Sequence, residues 1–280
     1  MKITRLGIIL ATVLLLQSCG LKFWYNRLDW LVSWQVDDFV ELTSEQEDQL
    51  EALIRQKLQW HRSTQLPLYA DLIDRLINDI RNNNLEAHYD TYRNSFIEFY
   101  HHLGAALADD LIEQIRQLSD QQVVELIRNL NDEASKQLKK YKKTKPKKRL
   151  AKLRDNIEDG YEDWVGSLTK EQESLIKDWV EQMQPTAELR FDYGNRWRVA
   201  LDYALHARQT EQGQANLKEL ILEPQTLQTE ELKQRYQLNR TLEKEFVLKL
   251  FSTITKKQKK RFINKLEDYK EDFIELHQED

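Results

Sequence analysis

The chain is short of the residues that turn a backbone: seven glycines and four prolines in 280 positions, where average usage is about 7% and 5%. That scarcity excludes β-meanders and α/β units, and alternating β-branched runs are missing as well. A single cysteine, Cys19, excludes an intrachain disulfide and a multi-thiolate metal site. The longest apolar run, Leu6 to Leu16, is shorter than the ~20 residues a membrane-spanning helix needs. Serine nucleophile elbows, phosphate-binding glycine loops, dinucleotide fingerprints and HExxH are also absent. No catalytic residue and no cofactor are therefore assigned, and an enzyme is not expected. His61, His88, His101, His102, His206 and His277 are scattered. Glu98 and His101 form one Glu-x-x-His, but di-iron bundles need two such units and two further glutamates. A helix face is the expected reading of that pair, and no metal site is expected.

The abundant residues are charged, at 32%, and their periodicity is helical. The expected fold is all-α, an elongated bundle of about eight to ten helices. Helices are expected over 24–40, 44–63, 67–82, 85–116, 120–144, 147–166, 170–183, 187–211, 229–252 and 256–277. Asn82-Asn83-Asn84 marks a turn, and 212–228, with Gly213 and Pro224, reads as a loop.

The first twenty residues give an address. Lys2 and Arg5, the apolar run and Leu16-Gln17-Ser18-Cys19 match a bacterial lipoprotein signal, with residues 1–18 removed and Cys19 acylated. Two or three acyl chains exceed what stable anchoring requires. Gly20 in place of aspartate favours release to the outer membrane in a Gram-negative host, so the expected location is the cell envelope, facing the periplasm. Phe23, Trp24, Tyr25, Trp30 and Trp34 follow at once. Such a cluster suits the bilayer interface. Asp29, Asp37, Asp38 and the shortage of basic residues favour instead packing of Trp30 and Trp34 into the bundle.

Charge is unevenly distributed. Eleven Lys or Arg and no acid fall between Lys136 and Arg154, including Lys139, Lys140, Lys142, Lys143, Lys147, Lys148 and Arg149. This block can meet anionic lipid headgroups, an acidic client or only solvent. A solvated face, partly neutralised by the acids of 155–163, is favoured. Nucleic acid is not expected as a partner, because the signal directs the chain out of the cytoplasm.

One local pattern occurs four times: Thr43 with Gln46, Ser119 with Gln122, Thr169 with Gln172, and Thr255 with Gln258. Each is a capping box, in which the hydroxyl and the glutamine side chain satisfy each other's backbone N–H. An apolar residue precedes each hydroxyl, and others follow at seven and eleven positions, so each cap starts a helix with its buried stripe in one phase. Pairing the first cap with the second and the third with the fourth gives units of 42–145 and 146–280 behind a signal (1–18) and an aromatic anchor segment (19–41). Internal duplication and independent origin of good caps both account for this.

The repeated Leu-Thr-x-x-Gln cap on an exported, highly charged helical chain resembles the Spy and CpxP periplasmic chaperones, small all-α proteins with two such motifs each. The resemblance implies two tandem Spy-like units and protein binding of a chaperone-like kind. Asn26-x-x-Asp29-Trp30, Trp60-His61-Arg62 and Leu66-Pro67-x-Tyr69 resemble more closely a family of uncharacterised proteobacterial lipoproteins. The expected function is therefore a non-enzymatic, membrane-anchored protein that binds protein clients, or an assembly factor for one dedicated envelope partner. No oligomeric state is assigned.

Overall fold

A computed structural model describes residues 19–279. They form twelve α-helices and one 3-10 turn, with no strand among the described residues. In order these are α1 (Cys19–Tyr25), α2 (Leu28–Asp37), α3 (Ser44–Thr64), α4 (Leu66–Asn82), α5 (Leu85–Arg116), α6 (Asp120–Lys143), α7 (Pro146–Val165), α8 (Lys170–Gln182), α9 (Ala187–His206), α10 (Glu211–Leu222), the 3-10 turn Pro224–Leu227, α11 (Glu230–Ser252) and α12 (Lys256–Gln278). The fold is an all-α helical bundle. No helix among the described residues is long and apolar enough to cross a membrane.

Two expectations are corrected. The segment expected as one helix over 24–40 is divided at Asn26-Arg27 into α1 and α2. The expected loop 212–228 holds α10, started by Thr210, whose hydroxyl accepts from the Gly213 N–H at 3.0 Å. Gly213 is not a breaker here. A Cβ on it would stand 2.0 Å from the Ala207 carbonyl oxygen, so the glycine permits the close turn from α9 into α10.

Asn83 takes the left-handed conformation (φ 59°) that ends α4, which asparagine tolerates better than most residues. All four capping boxes form, at the starts of α3, α6, α8 and α12.

The glutamines of these boxes do more than cap. Gln46 and Gln122 face each other and exchange amide hydrogen bonds of 3.2 and 2.7 Å. Gln172 and Gln258 do the same at 3.0 and 2.8 Å. Each amide nitrogen also donates to a carbonyl two residues before its partner's cap: Gln46 to Gln117, Gln122 to Glu41, Gln172 to Thr253 and Gln258 to Ser167. Each amide oxygen accepts in turn from its own cap's backbone N–H. The result is two local two-fold clasps of like design, the second deeply buried, with Gln172 1% and Gln258 5% exposed. Every polar atom of the amides is engaged, so burial leaves no orphan donor.

The apolar clusters do not follow the boundary between the two halves. Ile112, Val123 and Leu130 from α5 and α6 pack with Leu201, Leu205, Leu217 and Leu220 from α9 and α10. Ile77 and Ile80 of α4 pack on Leu266 of α12, and the α4–α12 contact is the most extensive in the molecule. Ile176, Val180, Phe246 and Leu250 form a cluster between α8 and α11. Arg208 is buried after α9. Its guanidinium donates to the carbonyls of Leu118 and Leu205 and to Asp120, tying the end of α9 to the start of α6.

Candidate functional site at the N-terminal junction

α1 packs directly into the body. Leu21 and Tyr25, four residues apart on one face, are buried among Leu66, Ala70, Tyr269, Phe273 and Leu276. This brings together the α1–α2 turn, the end of α3, the start of α4 and the end of α12.

Polar groups from all four elements meet there. His61 lies with Nδ1 2.8 Å from the Tyr25 hydroxyl and Nε2 3.2 Å from the Tyr69 hydroxyl. A neutral imidazole has one N–H and one lone pair, so one tyrosine accepts from it and the other donates to it. Arg62 donates to the Asn26 side chain, which donates to Glu279 at 3.0 Å. His277 Nδ1 lies 2.9 Å from the Arg62 carbonyl. Tyr69 also packs on Phe99 and Phe273, at ring-centroid distances of 4.5 and 5.8 Å. Alongside, an open groove of about 680 Å³ runs between α4 and α12, lined by Pro67, Asp74, Arg75, Lys270, Ile274 and His277.

Burial sets the ionisation of the junction. It lowers the His61 pKa from 6.5 to about 4, and it raises the Tyr25 and Tyr69 hydroxyls above their ordinary values. Asp272, on the neighbouring turn of α12, is buried with Oδ2 unpartnered. Desolvation raises it to about 6, opposed by Lys22 of α1 at 4.0 Å. Lys22 itself bonds to Glu275, so it is shared between two acids.

The pH dependence follows with opposite signs. His61 is depressed in the fold, so its contribution is complete above pH 6.5 and is lost as pH falls towards 4. The shift corresponds to roughly 3 kcal/mol. Asp272 is raised, so its contribution is complete below about pH 4 and is lost as pH rises through about 6. Asp272→Asn is expected to raise stability at pH 7.5 by about 1 kcal/mol, reduced by solvent screening, and to leave the His61 loss uncompensated on acidification. Urea unfolding from pH 7.5 to 4.5 checks this. A gain that persists unchanged at pH 4.5 would contradict the assignment.

The other sequence candidates are dispersed. Cys19 is the first residue of α1. Trp24 is half-buried and meets Phe23 edge to face at 5.5 Å. Trp30 and Trp34 do not enter the bundle. They are 57% and 50% exposed and stack on each other at 6.3 Å, which overturns their assignment to the core. Lys139, Lys140, Lys142, Lys143, Lys147 and Lys148 are exposed where α6 gives way to α7 at Thr144-Lys145. Arg149 lies over the Tyr141 ring at 3.8 Å and donates to its carbonyl. Arg154 pairs with Asp155 and Glu158. Glu98 and His101 are exposed on α5. No three His, Cys, Asp or Glu among the described residues are placed to hold a metal ion.

Sequence reading did not single out Asp272, Arg208 or the reciprocal pairing of the glutamines. The segments Asn26–Trp30, Trp60–Arg62 and Leu66–Tyr69 did signal the junction. Asn26 meets Arg62, and His61 meets Tyr69, so what looked like three separate signatures is largely one contact set.

Fold and junction together define a class: an all-helical protein with clasped helix starts and its first described helix sewn into the core. Within that class the chain belongs to the family of unknown function DUF6279, whose model matches residues 38–233. The matched span holds His61, Arg62, Tyr69 and three of the four caps; Tyr25, Asn26 and α12 lie outside it. No curated protein and no solved structure matches the chain.

Proposed function

We propose that this is a non-enzymatic helical lipoprotein, anchored through Cys19 to the outer membrane facing the periplasm, that binds other proteins in a chaperone-like way. The observation that carries the binding role is an apolar face on α5. Phe96 and Tyr100, one turn apart, are 63% and 61% exposed, with Ile97 beside them. Contiguous exposed aromatics on a monomer commonly mark a binding surface. The capping-box resemblance to Spy and CpxP supports the same role and rests on those caps alone.

The test is suppression of aggregation of an unfolded client by the full chain. Suppression at stoichiometric ratio is expected, weakened about tenfold by Phe96→Ser with Tyr100→Ser. No suppression at excess would overturn the reading. Compactness of the Phe96–Tyr100 patch favours a second reading, one dedicated envelope partner. Crosslinking in cells decides between them: a broad smear supports clients, a single dominant adduct the dedicated partner.

A further inference from the structure

The outward face of α1 and α2 carries the wrong residues for a face turned to water. From Phe23 onward the exposed positions are 23, 26, 27, 30, 34 and 37, each three or four residues from another of the set, which traces one side of a helix. The helical hydrogen bonding almost continues through the turn, with Asn26 N–H donating to Lys22 and Leu31 N–H to Arg27, so the stripe holds its direction. The opposite side holds buried Leu21, Tyr25 and Gln35. The solvent side should therefore be polar, yet it presents Phe23 (47% exposed), Trp30 and Trp34. Position 19 falls one turn before Phe23 in the same register.

We infer that the Phe23–Arg27–Trp30–Trp34 face is a bilayer contact that seats the body on the phospholipid headgroup region. This deepens the proposed function and rests on its anchor at Cys19. Three observations favour a bilayer over another occupant. The chain that precedes α1 is the apolar run Leu6–Leu16 ending at the acylation sequence, so either lipid or that run brings hydrocarbon to position 19. Tryptophan is the side chain that most favours the membrane–water boundary, where its ring is apolar and its N–H is wet. The face has one cation, Arg27, whose guanidinium lies 3.7 Å over the Phe23 ring, a charge suited to an anionic phosphate.

The acids that argued against such a contact are directed elsewhere. Asp29 accepts from the Trp30 backbone N–H at 2.8 Å, and Asp38 accepts from buried Gln35 at 3.4 Å. Asp37 stands at the far end of the stripe, away from the anchor. Because α1 is packed into the body through Leu21 and Tyr25, contact of this face with lipid fixes the orientation of the whole bundle. A protein held only by a flexible tether would have none.

The experiment uses the full chain purified from bacterial membranes and reconstituted into phosphatidylethanolamine–phosphatidylglycerol vesicles whose acyl chains carry bromine near the headgroup. Two of the seven tryptophans lie on the face, so quenching of total emission by on the order of a quarter is expected. Trp30→Phe with Trp34→Phe should abolish most of that quenching, and both sites are exposed, so the fold is kept and circular dichroism verifies it. Quenching that is absent, or equal in the double variant, overturns the proposal. Flotation with the vesicles reads the anchor separately. Protein that floats without quenching keeps the anchor and loses the face; protein that does not float, yet is quenched on mixing, loses the anchor and keeps the face. Concentration-dependent dimerisation in the absence of lipid, with Trp30 and Trp34 shielded from acrylamide, would assign the face to a second copy and also overturn it.

Discussion

Gln172→Ala should lower the unfolding free energy by about 3–4 kcal/mol, against about 1 kcal/mol for Gln46→Ala. The two glutamines occupy equivalent places in the two clasps, so their intrinsic capping contributions are alike. Their surroundings differ. Truncating Gln172 removes the acceptor of the Thr169 N–H at 2.9 Å and of the Gln258 amide N–H at 2.8 Å, and the donor to the Gln258 amide oxygen at 3.0 Å, in a site closed to water. It also removes the donor to the Thr253 carbonyl and leaves a void. Groups stranded around Gln46, which is only half-buried, recover hydrogen bonds from solvent. Gln172→Leu with Gln258→Leu should cost clearly less than the two single changes added, because the amide groups that each single change strands on its partner are absent when both are removed. Urea unfolding at pH 7.5 measures all of these. Equal costs for Gln46→Ala and Gln172→Ala, or strict additivity, would mean that the clasps are only two ordinary caps standing near each other.

Gly213→Ala is expected to be at least as severe, about 4 kcal/mol or more, since overpacking against backbone has no cheap relaxation. The added methyl would stand 2.0 Å from the Ala207 carbonyl oxygen and 2.4 Å from its carbon. That oxygen is held by the Thr210 N–H and hydroxyl, each at 2.8 Å, and the next residue, Arg208, clamps α9 to α6. Relief therefore means displacing α10 from the cluster of Leu201, Leu205, Leu217 and Leu220. Gly160→Ala in α7 is the matched control, for nothing lies within 4 Å of a Cβ there. Helix propensity should make it stabilising by roughly 0.5–1 kcal/mol. Hydrogen exchange confined to 211–222 would locate the Gly213 effect, whereas unchanged stability would refute the close approach.

The two glycines show why local reading reached some elements and not others. Both look like weak points within a charged helical sequence, and nothing in their neighbours separates a glycine required by a close turn from one that merely costs propensity. The distinction lies in Ala207, six residues away and across a change of direction. Likewise, the amphipathic stripe of α1 and α2 is visible as spacing, but which of its sides is covered depends on α4 and α12. Composition alone favoured burial of Trp30 and Trp34; the body instead uses Leu21, Tyr25 and Gln35 on that segment and leaves the tryptophans outward.

The candidate junction was half legible. Asn26, His61, Arg62 and Tyr69 stood in segments that drew notice as signatures, whereas their convergence did not. His61 and Tyr69 are eight residues apart, two helical turns of a nearly continuous α3–α4 path. Tyr25 and Asp272 reach the same place from opposite ends of the chain, and no periodicity encodes that.

By itself the sequence determined what short-range chemistry determines. Scarce glycine and proline, helical periodicity and four capping boxes specify helices and most of their starts, since each depends on groups within a turn or two. Tertiary structure alone decided that the capping glutamines also bind one another over 76 and 86 residues, that α12 lies along α4, and that a half-buried histidine is held between Tyr25 of α1 and Tyr69 of α4. Those outcomes depend on which amphipathic faces find each other. Burial free energy scales with apolar area and carries no label for the partner, so only the assembled fold could settle them.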